Sequence, residues 1–250
     1  MTELQKTNLK DSAICKNCGT ILNGNYCNHC GQAANIHRLN LKHLLHNFFH
    51  AVTHMDAGYL HTIKDLTIRP GHSIREYLQG KRSSHGDPLV MLLILGGLCS
   101  ILYKDYHIKT LGSVDIDTLT DGTQMLSTKF FALVFLGYAL ILSFMDFVIF
   151  RYKGYNYFEL VVMNIFTCIE ILVLFILMVP VSIFCNSHGL STYLKITFAL
   201  LNFSYLVYVR YQFFEVSVDK KAGLRIFGSA VAILFLLVLI GWKSLLELFG

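Results

Sequence analysis

Two short segments of the chain carry the residues best spaced to do chemistry. Cys15-Lys-Asn-Cys18-Gly19 and Cys27-Asn-His-Cys30-Gly31 are copies of CxxCG separated by eight residues. A two-residue gap lets both thiolates of one turn reach a single ion, and a glycine after the second cysteine accepts the positive φ such a turn needs. Four thiolates complete a tetrahedral zinc shell and leave no position for water. Cys15, Cys18, Cys27 and Cys30 are therefore expected to hold one structural Zn2+, with His29 inside the second turn but not required as a ligand. Ile21, Leu22 and Tyr26 are too few to form a core, so the metal has to supply the folding energy, on the order of 10 kcal/mol.

The remaining chemistry-bearing residues lie in or beside apolar runs. Glu170 falls in the middle of ELVVMNIFTCIEILVLFILMVP, Glu159 to Pro180, with Asn164, Thr167 and Cys168 nearby. Ionisable groups inside apolar spans mark either helix contacts or functional sites. Glu170 is accordingly the first candidate functional residue, expected to hydrogen-bond a neighbour such as Asn202 or Ser204, or to handle a proton. Asp146 and Arg210 lie toward the same ends of two other spans and could pair. Glu159, Arg69, Lys81 and Arg82 are further candidates. His43, His46, His50, His54 and His61 form a stripe. Steps of four at His46, His50 and His54 suit a metal, but no carboxylate completes a ligand set on the stripe, so it reads as a solvated polar face.

These residues imply three segments: a zinc ribbon over residues 1–35, amphipathic juxtamembrane helices over 36–87, and a five-span transmembrane domain over 88–250. Leu41, Leu44, Leu45, Phe48, Phe49, Val52, Met55, Tyr59, Ile63 and Leu66 recur at helical spacing. That helix is weakened at Gly58 and stopped by Arg69-Pro70-Gly71. The membrane interface is its expected bed, with packing on the bundle as the alternative. Ser73-Ile-Arg-Glu76 reads as a capping box for a second helix ending at Gly80. The spans are expected at Pro88–Tyr103, Phe130–Phe150, Leu160–Phe184, Tyr193–Val209 and Ile226–Trp242. Asp87 caps the first, and Gly96-Gly97 within it suits close packing or a re-entrant break. The fold class is thus an all-α integral membrane helical bundle behind a small four-cysteine zinc ribbon.

Composition agrees with lipid as one solvent. Hydrophobic residues make up 54% of the 250 and charged residues only 15%, where a soluble domain carries about a quarter charged; mean hydropathy is +0.52. With the N-terminus cytosolic, five spans put sixteen Lys and Arg inside and five outside, the asymmetry of a positive-inside protein whose C-terminus is external. The opening MTELQKTNLKDS has no apolar core and is not a secretory signal. Cys99, Cys168 and Cys185 sit singly in apolar runs and form no disulfide framework, which suits a reducing compartment for the ribbon. Residues 1–88 carry ten basic and six acidic residues, too even a balance for nucleic acid.

The doubled CxxCG, the segment TIKDLTIRPGHSIREYLQGKR (Thr62 to Arg82), the Pro-initiated span and YNYFELVV (Tyr155 to Val162) together resemble a family of bacterial membrane proteins grouped as a domain of unknown function. The resemblance implies a multi-span protein of the bacterial inner membrane. That family tends to place a histidine after the glutamate corresponding to Glu159. Leu160 stands there in this chain, so the resemblance implies no Glu-His pair. Five spans behind a cytosolic N-terminal part are also similar in architecture to the Yip family of membrane-trafficking and membrane-shaping proteins.

The function expected on these grounds is non-enzymatic. The lipid bilayer is one partner, and the zinc ribbon and amphipathic helix hold a protein partner or organise the membrane. A small transporter or channel component using Glu170 is the alternative, and a membrane-embedded enzyme the third reading.

Overall fold

The computed structural model describes residues 14–22, 24–34, 58–106, 131–187, 191–215 and 228. The expected fifth span, the histidine stripe up to His54 and the expected helix before Gly58 lie outside the described residues. Among them the chain forms six α-helices, one 3-10 turn and no strand longer than an isolated bridge. The helices are α1 (Gly58–Ile68), α2 (Pro70–Gln79), α3 (Pro88–Tyr106), α4 (Phe131–Ile149), α5 (Tyr157–Ser187) and α6 (Ser191–Phe213). Stretches of α4 and α5, Ala132–Ile149 and Tyr157–Val181, are long and apolar enough to cross a membrane.

Helix α5 is the axis of the bundle. Leu, Ile, Val and Phe surround it on all sides, and every residue from 159 to 170 is buried. Helices α3, α4 and α6 pack around it, and α1 and α2 cover its N-terminal half. The outer helices turn their apolar side chains outward: Leu93, Ile94, Leu98 and Ile101 on α3, Leu133, Val134, Ile141, Phe144 and Val148 on α4, and Ile196, Leu200 and Leu201 on α6 are exposed. Gly96 sits against Ala132, where an added Cβ would come within 2.7 Å of the alanine's own. α3 runs through Gly96-Gly97 without a break, so close packing is the role of that pair.

The hinge between α1 and α2 follows from its proline. A residue before proline is driven out of the α region, and Arg69 adopts φ −141°, ψ 58°. Pro70 then starts α2 where its missing N–H costs nothing. Two expectations are corrected here. Ser73 and Glu76 make no capping box: α2 has already begun at Pro70, and Ser73 hydrogen-bonds His85 while Glu76 pairs with Arg69 and Lys81. The described part of the amphipathic helix does not lie in a lipid interface either. Leu66 is buried in the bundle core with Tyr59 and Ile63 packed against it, because α5 and α6 offer that face an apolar wall.

Gly71 is where α2 meets α6. A Cβ there would lie 2.4 Å from both Gln212 Cβ and the Phe213 backbone nitrogen. The Gly71 N–H donates to Gln212 Oε1 at 3.0 Å across the contact. Gly80 ends α2, its N–H donating to the Glu76 and Tyr77 carbonyls. Asp87 caps α3 as expected, its Oδ1 accepting from Leu89 and Val90 N–H at 3.0 and 3.3 Å.

Candidate metal centre

The two CxxCG turns fold alike at an offset of twelve residues. Cys15 N–H donates to Thr20 O and Gly19 N–H to Cys15 O, each at 2.9 Å. In the second turn Cys27 N–H donates to Gln32 O at 2.8 Å and Gly31 N–H to Cys27 O at 2.9 Å. Antiparallel bridges, Ile14 with Ile21 and Tyr26 with Ala33, close each turn. Gly19 and Gly31 have φ of 75° and 72°, a region that penalises side chains with a Cβ. The repeat thereby points two cysteine pairs at one centre.

All four Sγ atoms lie within 4.8 Å of one another, with Cys15 and Cys30 at 3.6 Å and Cys18 and Cys27 at 3.5 Å. A tetrahedral ion with metal–sulfur bonds of about 2.3 Å sets its sulfurs about 3.8 Å apart, so the donors fit such an ion. His29 is exposed on its turn, outside the sulfur cluster. The thiols cannot all ionise together unaided. The hydroxyl and backbone N–H of Thr20 bring Cys18 down to about 6. Cys30 is also lowered: burial opposes this, but the Gln32 backbone N–H and the Asn17 side chain prevail. Cys15 rises to about 11, since burial and its thiol neighbours outweigh the Cys18 backbone N–H. A divalent cation supplies the charge that would hold all four as thiolates.

Of the three apolar residues expected to accompany the metal, only Leu22 is buried; Ile21 and Tyr26, with Ile14, are exposed. The ribbon is instead seated on the loop between α2 and α3. Gln32 Oε1 accepts from the backbone N–H of Arg82 at 3.0 Å and of Ser83 at 3.1 Å. Ser83 Oγ donates to the Cys30 carbonyl at 2.8 Å, and Ser84 Oγ to Asn17 Oδ1 at 3.1 Å. Each ribbon residue in this seat lies on a CxxCG turn or just after one, so the metal and the docking surface are one local structure. Sequence reading missed Gln32, Ser83 and Ser84, because nothing in their own spacing signals a contact some fifty residues away.

The other candidate residues fall into separate places. Arg69 joins α1 to α2, with Nη2 2.9 Å from Asp65 Oδ2 and Nη1 3.1 Å from Glu76 Oε1. Lys81 Nζ lies 3.2 Å from Glu76 Oε2, and the Arg82 guanidinium stacks over the Tyr77 ring at 5.7 Å. Glu159 caps α5: its Oε2 accepts from Asn156 N–H at 2.9 Å, while its own N–H donates to Asn156 Oδ1 at 2.8 Å. That reciprocal pair is a capping box. Asp146 and Arg210 do pair, fully buried and bidentate, at 3.1 Å from Nε and 2.8 Å from Nη2. Asn164 completes the group, donating to Asp146 Oδ2 at 3.0 Å and accepting from Arg210 Nη2 at 3.2 Å.

Glu170 is buried, and its partner is Thr67 of α1, whose hydroxyl donates to Oε1 at 2.8 Å. This corrects the expected partners: Asn202 Nδ2 donates to Phe198 O instead, and Ser204 only lines a neighbouring cavity. That cavity, of about 280 Å³, is lined by Thr67, Glu170, Leu201, Ser204, Tyr205 and Tyr208 among others. Glu170 Oε2 has no hydrogen-bond partner among the described residues. The phenol hydroxyls of Tyr205 and Tyr208 donate to the carbonyls of Leu66 and Ile68, fastening the end of α1 beside it.

These features define a helical bundle with a four-cysteine centre docked on a juxtamembrane loop. Residues 56–99 match the model of a family described as a protein of unknown function (DUF3667). The match covers α1, α2, the ribbon-bearing loop and the first part of α3, and includes the Thr62–Arg82 segment whose motif carried the resemblance. No curated protein and no solved structure matches the chain.

Proposed function

We propose that the chain is a non-enzymatic, multi-span protein of the bacterial inner membrane whose zinc ribbon holds a protein partner at the cytosolic face. Five spans, a cytosolic N-terminus and an external C-terminus account for the charge asymmetry of the sequence. The outward apolar side chains of α3, α4 and α6 suit lipid and would be a large unsolvated patch in water. A sulfur-only, four-coordinate centre suits Zn2+ in a structural role and offers no open position to a substrate.

The observation that carries the reading is the seat of the ribbon. Gln32, Cys30 and Asn17 bind the loop before α3 while Ile14, Ile21 and Tyr26 stand exposed on the ribbon. A rigid module fixed to the bundle and presenting apolar side chains is built to hold something. The test replaces Ile21 and Tyr26 together with serine and compares the proteins cross-linked to the parent and the variant. The expected result is loss of a specific partner with zinc content unchanged. An identical cross-linked set would overturn the reading.

The cavity beside Glu170 favours a second reading, a small transporter or channel component, because a buried carboxylate oxygen without a described partner borders open space. The enzyme reading draws less support. The nearest approach to a nucleophile and base is Ser73 Oγ at 3.0 Å from His85 Nε2, and Ser73 is wholly buried in the body of α2.

A further inference from the structure

A second constellation of metal-binding side chains lies beneath the ribbon. His61 and Asp65 are one turn apart on α1 and share a face. His85 comes to them from the loop between α2 and α3. One ring nitrogen of each histidine and a carboxylate oxygen of Asp65 all lie within 4.8 Å of one another, and the two imidazole rings meet edge to face at 5.7 Å between centroids. The carboxylate that sequence reading found missing from the histidine stripe is Asp65, and the ligand that completes the set is twenty residues further on.

We propose that His61, Asp65 and His85 form a second metal site, for a divalent first-row transition ion, at the junction of the ribbon and the bundle. Two imidazoles and one carboxylate are the donors such ions prefer, and three protein ligands leave further positions to water. Bonds of about 2.1 Å place neighbouring ligand atoms roughly 3.0–3.4 Å apart. Closing the cluster onto an ion thus asks for movements on the order of an ångström. His61 is exposed, so its ring has room to turn, and it gives the ion a route in from water.

The surroundings hold the other two ligands as metal ligands are held, by hydrogen bonds from behind. His85 Nδ1 lies 3.0 Å from the Lys81 carbonyl and Nε2 3.0 Å from Ser73 Oγ. Whichever nitrogen binds the ion, the other is oriented by a partner. Burial lowers the His85 pKa, which keeps the ring in its neutral, ligating form. Arg69 Nη2 bonds Asp65 Oδ2 at 2.9 Å and leaves Oδ1 to face the ion. The loop itself is pinned, since Gly86 N–H donates to Thr62 Oγ1 on α1 at 2.8 Å. The residue before His85 is Ser84, which the ribbon holds through Asn17. The sulfur centre and this cluster are therefore joined through two consecutive residues, so that one metal module braces a ligand of the other.

Cobalt(II) binding to the full chain in mild detergent tests the proposal, because the two sites differ in colour. A four-thiolate site gives intense sulfur-to-metal charge transfer, and a nitrogen–oxygen site gives only weak visible bands. The parent should bind one equivalent with the charge-transfer signature and a further, weaker one without it. His61→Ala, at an exposed position that disturbs no described packing, should lower the total by one equivalent and leave the charge-transfer band intact. Asp65→Asn should do the same. Cys18→Ser should remove the charge-transfer band and keep the second equivalent, with weaker affinity. A parent that takes up the charge-transfer equivalent alone would overturn the proposal. So would a His61→Ala variant with undiminished stoichiometry, which would assign any extra cobalt to other histidines.

Discussion

Breaking the Asp146–Arg210 pair should be among the most damaging changes available in this chain, and removing both partners among the mildest. The pair is wholly buried, and Asp146 receives three donors: Arg210 Nε at 3.1 Å, Arg210 Nη2 at 2.8 Å and Asn164 Nδ2 at 3.0 Å. Asp146→Leu leaves the guanidinium without its counter-charge. The cost of such an orphan is about 3–5 kcal/mol in protein interiors, and insertion scales give about 2.5–3.5 kcal/mol for a lone charge at a helix centre. Arg210→Met should cost a similar amount by stranding the carboxylate. The double variant strands neither, and Asn164 keeps its bonds to Ser143 Oγ and Leu160 O, both at 3.1 Å. Replacing a whole buried pair with apolar groups is often neutral, so the double variant should lie within about 1–2 kcal/mol of the parent by the same reasoning. The assay is unfolding in mixed micelles across the full mutant cycle. The expected coupling of several kcal/mol far exceeds the roughly 0.3–0.5 kcal/mol within which independent sites add. Additive single effects, or single variants as stable as the parent, would refute a charge pair that serves to join α4, α5 and α6.

Three further outcomes follow from the geometry. Gly71→Ala should force α2 off α6, since its Cβ would meet backbone and Cβ at 2.4 Å; overpacking of this kind costs about 1–3 kcal/mol, read as faster proteolysis at the α1–α2 hinge. The Glu76 carboxyl is held below its ordinary 4.5: burial pushes it up, but Lys81 and Arg69 prevail. Its contribution, about 1 kcal/mol or less for so open a pair, is therefore present above pH 4.5 and lost as pH falls through the lower folded value. The stability gap between the parent and Glu76→Gln should close in acid, measured by unfolding at pH 7 and pH 3.5. Glu170→Gln keeps the Thr67 hydrogen bond and should match the parent in stability, while Glu170→Leu should lose that bond; a Gln variant that folds normally but fails in cells would favour the transporter reading.

Much of the architecture was legible because its signals are local. The doubled CxxCG is dictated by what four thiolates around one ion need, and it folded as its spacing implied. Pro70 announced the hinge, Gly80 the end of α2 and Asp87 the start of α3, each through the backbone of its own neighbours. The apolar runs located α3 to α6 within a few residues. What was not legible depends on distant pairing. Ser73 and Glu76 have the spacing of a capping box, but Pro70 starts the helix earlier and their side chains find His85, Arg69 and Lys81 instead. Glu159 looked like a candidate for chemistry until Asn156, three residues before it, proved to be its capping partner; that pattern was readable in YNYFE. Thr67 beside Glu170, Gln32 beneath Arg82 and His85 beside His61 belong to different segments. No periodicity within one segment brings such residues together.

The docked ribbon is tested most directly by hydrogen exchange at Arg82 and Ser83, whose backbone N–H groups both donate to Gln32. Gln32 stands two residues after Cys30, and its backbone carbonyl accepts from Cys27 N–H, so its position rests on the folded sulfur centre. With zinc bound, those two amides should exchange slowly. Stripping the metal with a chelator should speed them greatly, as should Gln32→Ala with the metal kept, while the amides of α5 stay protected in both. Equal protection of Arg82 and Ser83 with and without zinc would contradict the account, because it would mean that the metal centre does not hold the ribbon on the bundle.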